Sequence, residues 1–505
     1  MVDSSVRVLL WHGWVLEGSG SNVITARVAA VLRADGHDVA LVCQERDVER
    51  YAWIDGSASV DGEGLAEVVA NDAAVPATGR CTVLRPAIGR VLPVFVLDDY
   101  EGFDVRRFVD LDEPTLDAYL NANVEALREV AAWHRSDVAI AGHAIPGGAV
   151  ARRALGDVPY VVSVHGSDLE YAIRAQRRFA DLAREGLSGA RAVVGHGRAV
   201  LDRCRELVPG LDRPMRVIPP VVDVEVFRPM PRREGLLELA GRLERDPDLE
   251  RGRPAALDAE VREALSARDG ERLDRLATTY DQAVPERAAP SVLRELAVGE
   301  SPVVGSFGKL IPQKGVHLLL ASAPACDVLV VGFGSLREWL GALALARSGG
   351  DTDDLAWLES RRDRLPGVGS VAPGEERVVF TGRLDHRYAP NALAAMDVLV
   401  VPSILEEAFG MVAAEGAAAG ALLLVARHSG LAEIAAALEA EVDRPGWFSF
   451  APGEDAGAAI AAGIERLLAV PPGERRDLVD TVRRHVARRW SWRATAERLL
   501  AAVGS

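Results

Sequence analysis

Two carboxylates and two lysines stand in this chain where they could grip an elongated anionic ligand. Glu407 and Glu415 have seven residues between them in the run Pro402-Ser403-Ile404-Leu405-Glu406-Glu407-Ala408-Phe409-Gly410-Met411-Val412-Ala413-Ala414-Glu415-Gly416. On a helix that spacing separates them by about 12 Å along the axis, too far to share one atom but suited to two ends of one ligand. The run leaves a strand-like stretch and enters a helix-like one, so the helix start would point free N–H groups and a partial positive charge at an anion. Phosphate is the natural guest. Upstream, Gly305-Ser306-Phe307-Gly308-Lys309-Leu310-Ile311-Pro312-Gln313-Lys314-Gly315 carries Lys309 and Lys314 past another strand-like run. Fixed cations there would lower the energy of a leaving group that gains negative charge. Taken alone, each pair also fits ordinary solvated positions.

The elements that must position these groups are read from hydrophobic rhythm. Val6–Trp11, Asp38–Cys43, Asp137–Ala141 and Tyr160–Val164 read as strands, with Asn22–Asp35 a helix. The rhythm returns in strand-like Val303–Phe307, Asp327–Val331, Val378–Thr381, Asp397–Val401 and Ala421–Ala426, with Val316–Ala323 helical. Strands alternating with helices imply a parallel sheet covered on both faces, and the plan occurs twice. The expected fold class is α/β, with two Rossmann-like doubly wound domains facing a central cleft. Residues 1–228 form the acceptor-side domain in this reading, and 302–484 the donor domain. Residues 229–301, charged and with helix-period patches at Leu236–Leu243 and Val261–Leu265, read as a mainly helical insertion or linker, with disorder the competing reading. Gly349–Glu376 reads as a decoration of the second domain. Gly473–Val503 reads as one or two helices broken near Trp490-Ser491-Trp492, and 485–505 is expected to return to the first domain.

Composition narrows the classes. A chain of 505 residues exceeds one ordinary core, and an apolar content of 49% supplies two. A net charge of -16 argues against a nucleic-acid surface, so any phosphate site must be locally basic. Cys43, Cys81, Cys204 and Cys326 lie far apart without metal-ligand spacing, which disfavours a disulfide framework or a zinc site. The expectation is a protein of the reducing cytoplasm, without signal peptide or membrane span. Arg174–Arg184, including Arg177 and Arg178, leaves peripheral contact with an anionic lipid surface open, against a solvated helix face.

Further segments sit at strand exits. Ser163-Val164-His165-Gly166-Ser167-Asp168 places His165 at a strand end, where a lone histidine is commonly structural. The loop His12–Asn22 contains Gly18 and Gly20, and glycine lets backbone approach a ligand. A dinucleotide fingerprint fits poorly there, since Val23 stands where a third glycine belongs. Val331-Gly332-Phe333-Gly334-Ser335-Leu336 and Phe380-Thr381-Gly382-Arg383-Leu384 each read also as plain strand-exit turns.

Together these segments resemble retaining glycosyltransferase family four, over roughly residues 5–228 and 302–500. The run from Pro402 is similar to the family's PS-x-x-E-x-F-G-x-x-x-x-E element, with one extra residue before Glu407. By that resemblance Glu407, rather than Glu406, contacts donor-sugar hydroxyls, the amides around Phe409, Gly410 and Met411 hold the diphosphate, and Glu415 holds the ribose. Lys309 and Lys314 resemble the G-R-L…K-G element whose cations meet the diphosphate in place of a metal; lysine at 309 loses the bidentate fork of arginine. His165 matches T-x-H-G, with Ser163 for threonine, and implies a group facing the reacting sugar. Gly20, Gly308 and Gly334 then lie near the donor, and Arg383 and Leu384 border the base. Departures occur at Arg216–Asp223, where Pro220 and Val221 replace Asn and Gly, at Leu422 near the usual proline, and at His428–Ile434, an incomplete G-G-x-x-E-I.

The resemblance implies transfer of a sugar from a nucleoside-diphosphate sugar to an acceptor hydroxyl, with retention of configuration and no metal or other cofactor. The acceptor is undefined: a saccharide, a lipid-linked glycan or a small molecule. Three other readings stand: a nucleotide-sugar epimerase of the same layout, a non-catalytic nucleotide-sugar sensor, and, more distantly, a nicotinamide oxidoreductase.

Overall fold

The structure is a computed structural model that describes residues 5–96, 100–219, 221–407 and 409–504. The chain divides into two compact units, 1–221 joined by 490–505, and 222–489.

The main strands of the first unit are β1 (Arg7–Trp11), β2 (Asp38–Val42), β3 (Gly56–Asp61), β4 (Arg80–Pro86), β5 (Val138–Gly142), β6 (Tyr160–Val164), β7 (Ala192–Gly195) and β8 (Met215–Val217). They are hydrogen-bonded in the order β8-β7-β6-β5-β1-β2-β4-β3, all parallel. Val161, Val162 and Val164 of β6 are all buried, as expected for a sheet covered on both faces. One face is covered by helix α1 (Gly20–Ala34) and by the distant helix α11 (Trp492–Gly504), which puts Ala496, Leu499, Ala502 and Val503 into one core with Val28 and Leu32. Thr495 Oγ1 donates to Pro219 O at 3.0 Å, and Arg493 pairs with Asp35. The opposite face is covered in part by α2 (Glu113–His134) through Leu120, Val124 and Leu127.

The second unit has β9 (Val303–Phe307), β10 (Asp327–Val331), β11 (Arg377–Phe380), β12 (Val398–Val401), β13 (Leu422–Ala426) and β14 (Ser449–Phe450), in the order β11-β10-β9-β12-β13-β14, all parallel. The order reverses between β9 and β12. In doubly wound sheets, ligands bind beyond the strand C-termini at such a reversal.

The boundaries differ from the sequence reading: the first unit ends at Val221 rather than 228 and resumes at Trp490 rather than 485. Residues 229–301 are not set apart from the second unit. They form α3 (Arg232–Leu243), α4 (Leu257–Ser266), α5 (Gly270–Leu276) and α6 (Ala289–Val298). Leu236, Leu239 and Leu243 of α3 and Leu293 and Leu296 of α6 are fully buried, so the charged composition is the solvent side of an amphipathic layer. Buried ion pairs tie this layer to α7 (Arg337–Gly349): Arg253 Nη2 to Glu338 at 2.8 Å, and Arg337 Nε to Glu286 at 2.5 Å. The terminal helices are α10 (Pro472–Arg489) and α11, parted at Trp490-Ser491. No described helix is long and apolar enough to cross a membrane.

Candidate active site

Lys314 and Glu407 meet at the reversal point of the second sheet. Lys314 follows β9 and Glu407 follows β12, and the ammonium donates to Glu407 Oε1. Gly315 sets this approach: its φ is +68°, and a Cβ there would fall 2.0 Å from the Pro402 carbonyl oxygen. The Ser403 hydroxyl donates to the same carboxylate oxygen at 2.5 Å. The Glu407 N–H donates to Ser429 Oγ at 2.8 Å, and His428 lies 2.7 Å from Ser403 O and 3.1 Å from Ser429 Oγ. Burial works to raise the Glu407 pKa, but Lys314, the Ser403 hydroxyl and His428 outweigh it and hold the carboxyl below its ordinary value. The result is a fixed, ionised carboxylate.

The extra residue before Glu407 is absorbed in an exposed turn at Ile404-Leu405, whose N–H groups donate to Gln313 O at 2.8 and 3.3 Å. Ala408 lies outside the described residues. The incomplete glycine match at 428–434 also has a structural account. Ser429 adopts the left-handed conformation at φ +51° and spends its hydroxyl on the Glu407 N–H.

Helix α8 (Met411–Ala419) starts from Gly410 at φ +90° and has no side-chain cap, so it opens on the amides of Met411 and Val412. Its N-terminus is a ready anion seat. Phe409 is buried beneath it. Glu415 is also buried, and among the described residues no hydrogen bond or ion pair is made by its carboxylate. Burial pushes its pKa up to about 7. A buried carboxyl of this kind can accept from hydroxyl donors.

Arg383 follows β11, with its N–H donating to Val284 O at 3.1 Å and Nη1 to Ala283 O at 3.3 Å. The Leu384 side chain is buried. Gly308 has open space where a Cβ would stand, whereas a Cβ on Gly334 would fall 2.5 Å from Leu310 O. Lys309 is half-buried.

In the first unit, four strands end on a histidine: His12 after β1, His143 after β5, His165 after β6 and His196 after β7. The ring centres of His143 and His165 are 4.2 Å apart, and those of His165 and His196 are 5.1 Å apart. Burial, reinforced by the neighbouring imidazoles, holds His143 and His165 well below the ordinary histidine range, and burial lowers His12 to about 4. This row is neutral. Asp168 fixes the turn, accepting from the N–H groups of Ala144 at 2.7 Å and of His165 and Leu169 at 3.0 Å. Gly20 is exposed at the first position of α1, where Ser19 is the N-cap. Among the described residues no cluster of His, Cys, Asp or Glu is arranged to hold a metal ion.

Sequence reading overlooked Ser403, His428 and Ser429 around Glu407, and His143, His196 and Asp168 around His165. The signal for the histidines was their shared place one residue past a strand. Val221 is buried, and Pro220 lies outside the described residues. In the Arg174–Arg184 stretch, Arg178 donates to Leu111 O at 2.7 Å and Arg174 pairs with Glu170 at 2.7 Å.

Comparison with known proteins agrees with this fold. Residues 19–221 match the model of a glycosyl transferase 4-like domain, and residues 301–470 that of the group 1 glycosyl transferases. An uncharacterized glycosyltransferase of Methanocaldococcus jannaschii is 27% identical over 191 residues, 37% of this chain and 40% of that protein. The glycogen synthase of Halorhodospira halophila is 29% identical over 174 residues, 34% of this chain and 32% of its own. The matched stretches thus span well under half of both relatives. Among solved structures, the sucrose-phosphate synthase of Thermosynechococcus elongatus shares the fold over 98% of both chains, with a TM-score of 0.53 and 17% identity. Anabaena HepE, solved in complex with UDP and glucose, does so over 99% of both chains, with a TM-score of 0.57 and 15% identity. Two parallel-sheet units, a 4-like domain in the first and a group 1 domain in the second, make this chain a member of the glycosyltransferases with the GT-B fold.

Proposed function

We propose that the protein transfers a sugar from a nucleoside-diphosphate sugar to an acceptor hydroxyl, with retention of anomeric configuration. The observation that carries this reading is the Lys314–Glu407 pair at the reversal point of the second sheet, beside the uncapped start of α8 and Glu415, whose carboxylate has no partner among the described residues. Lys309, Lys314 and the amides of Gly410 and Met411 bind the diphosphate. Glu407 accepts from sugar hydroxyls, and Glu415 accepts from the ribose diol. HepE, which shares the fold, was solved with UDP-glucose, which supports a nucleotide-sugar donor here as well.

The acceptor hydroxyl attacks the anomeric carbon from the face that the diphosphate leaves, the bond to the leaving oxygen breaks, and that oxygen takes the hydroxyl proton. Lysines carry the charge that builds on the leaving group, so the step proceeds without a bound metal. His165 is the group that the family resemblance sets facing the reacting sugar. The test is calorimetric titration of UDP-, GDP- and ADP-sugars into the native protein and its Lys314→Ala and Glu415→Ala variants. Binding of one donor, weakened at least about tenfold in each variant, is the expected outcome, since a charge-assisted contact contributes about 1.5–3 kcal/mol. No binding of any donor defeats the reading, and an inverted product anomer in turnover defeats its mechanism.

A further inference from the structure

The helical layer of residues 229–301 does not close completely on the edge of the second sheet. A cavity of about 480 Å³ opens between α4, α6, α7 and β11, the last strand at that end of the sheet. Protein interiors leave few voids, and this volume lies in the range of small-molecule sites. The gap has a cause in the sequence. Arg337, Gly341, Ala344 and Leu345 recur at helical spacing on one face of α7, and Gly341 and Ala344 bring little bulk to fill the space. Val261 of α4, Val292 of α6 and Val378 of β11 supply further apolar wall. Lys309, Lys314, Arg383, Glu407 and Glu415 take no part in the lining, so the cavity is separate from the candidate donor site.

Its charged groups are unequally satisfied. The carboxylates that line it are already held: Asp258 by Arg253, Glu286 by Arg337 and Glu376 by Arg347. Arg337 is buried, donates to Glu286 through Nε and Nη2, and has its guanidinium carbon 3.8 Å from the centre of the Phe380 ring. Its remaining nitrogen, Nη1, makes no hydrogen bond among the described residues and lies 3.0 Å from where a Cβ on Gly341 would stand. Arg262 shares a face of α4 with Asp258 and Val261, is exposed, and has no ion pair among the described residues. Unused donors on a buried group are costly and call for an acceptor, and a guanidinium favours an anionic one. We propose that this cavity binds a small organic anion, a carboxylate or phosphate monoester on an apolar body. Arg337 Nη1 donates to the charged group, Arg262 adds its charge from the rim, and the apolar body rests on Val292, Ala344 and Val378.

Calorimetric titration of octanoate, octyl phosphate and octanol into the full chain and its Arg262→Ala, Ala344→Phe and Lys314→Ala variants tests this. At least one of the two anions is expected to bind saturably and at least about tenfold more tightly than octanol, since only an anion gains charge-assisted hydrogen bonds. Tighter binding of octanoate marks the ligand as a carboxylate and tighter binding of octyl phosphate as a phosphate monoester, and either order supports the site. Ala344→Phe fills the cavity and abolishes anion binding. Arg262→Ala, a change at an exposed position that leaves the fold intact, weakens the anion severalfold and leaves octanol unaffected, while Lys314→Ala changes neither. Absence of saturable anion binding overturns the proposal, as does equal affinity for anion and alcohol. Anion affinity that survives Arg262→Ala, or survives Ala344→Phe with a native melting temperature, also overturns it. A loss in Lys314→Ala overturns it too, because it moves the anion to the candidate donor site.

Discussion

Glu415 is buried on α8 with its pKa raised to about 7, so the folded state holds a proton that the unfolded chain releases near the ordinary glutamate value of about 4.5. Stability from this group is fully present below that unfolded value and is lost as pH rises through about 7. A Glu415→Gln variant, neutral at every pH, is therefore expected to melt at the native temperature near pH 4.5 and above it at pH 8. Thermal melts at the two pH values check this, and a difference that does not grow with pH refutes it. Nucleotide binding to the same carboxylate would supply hydroxyl donors to its ionised form, so the ligand offsets what burial costs. Glu407 is the contrasting case. Its neighbours hold it ionised, with Lys314 and Ser403 both donating to Oε1.

At the scale of elements, the buried pair Arg253–Glu338 joins the helical layer of residues 229–301 to α7, with the Tyr280 hydroxyl donating to the same carboxylate at 2.9 Å. Removing one partner leaves a buried charge, and Arg253→Met alone is expected to cost about 3–5 kcal/mol in chemical denaturation. Arg253→Met with Glu338→Leu should recover much of that loss, and a double variant as unstable as the single one contradicts the account. This layer also marks the limit of legibility. The strands at Tyr160–Val164, Val303–Phe307 and Asp327–Val331 were readable to the residue, because parallel strands buried on both faces appear as unbroken apolar runs. Glu407, Glu415 and Lys314 could be picked out as candidates because their motifs lie within short stretches of chain. Ser429 and His428 were not, since they lie about twenty residues further along the chain, at a turn conformation that serine rarely adopts. The attachment of α3 to α6 escaped for another reason: abundant Arg and Glu on the wet face disguised a fully buried leucine stripe.

For the whole molecule, the first unit is complete only with residues 490–505. Ending the chain after Arg489 would strip Ala496, Leu499, Ala502 and Val503 from the core that holds Val28 and Leu32. At about 1.5–3 kcal/mol for each large apolar side chain, the loss is on the order of 5 kcal/mol, comparable with the entire stability of many domains. Limited proteolysis of such a truncation is expected to digest residues 1–221 rapidly while a fragment within 222–489 persists. Equal resistance of both regions would show that α11 contributes little.

The same discontinuity bears on synthesis. A nascent chain emerges from the ribosome in order, and domains generally fold as units as they appear. Here the first unit must wait, with the sheet face beneath α11 bare, while all of 222–489 is translated and folds in the interval. A message cut short anywhere in the second unit would leave that apolar face permanently uncovered. Such a product is one that chaperones and proteases recognise, so the arrangement makes arrival of α11 a built-in check that the whole second unit has been translated.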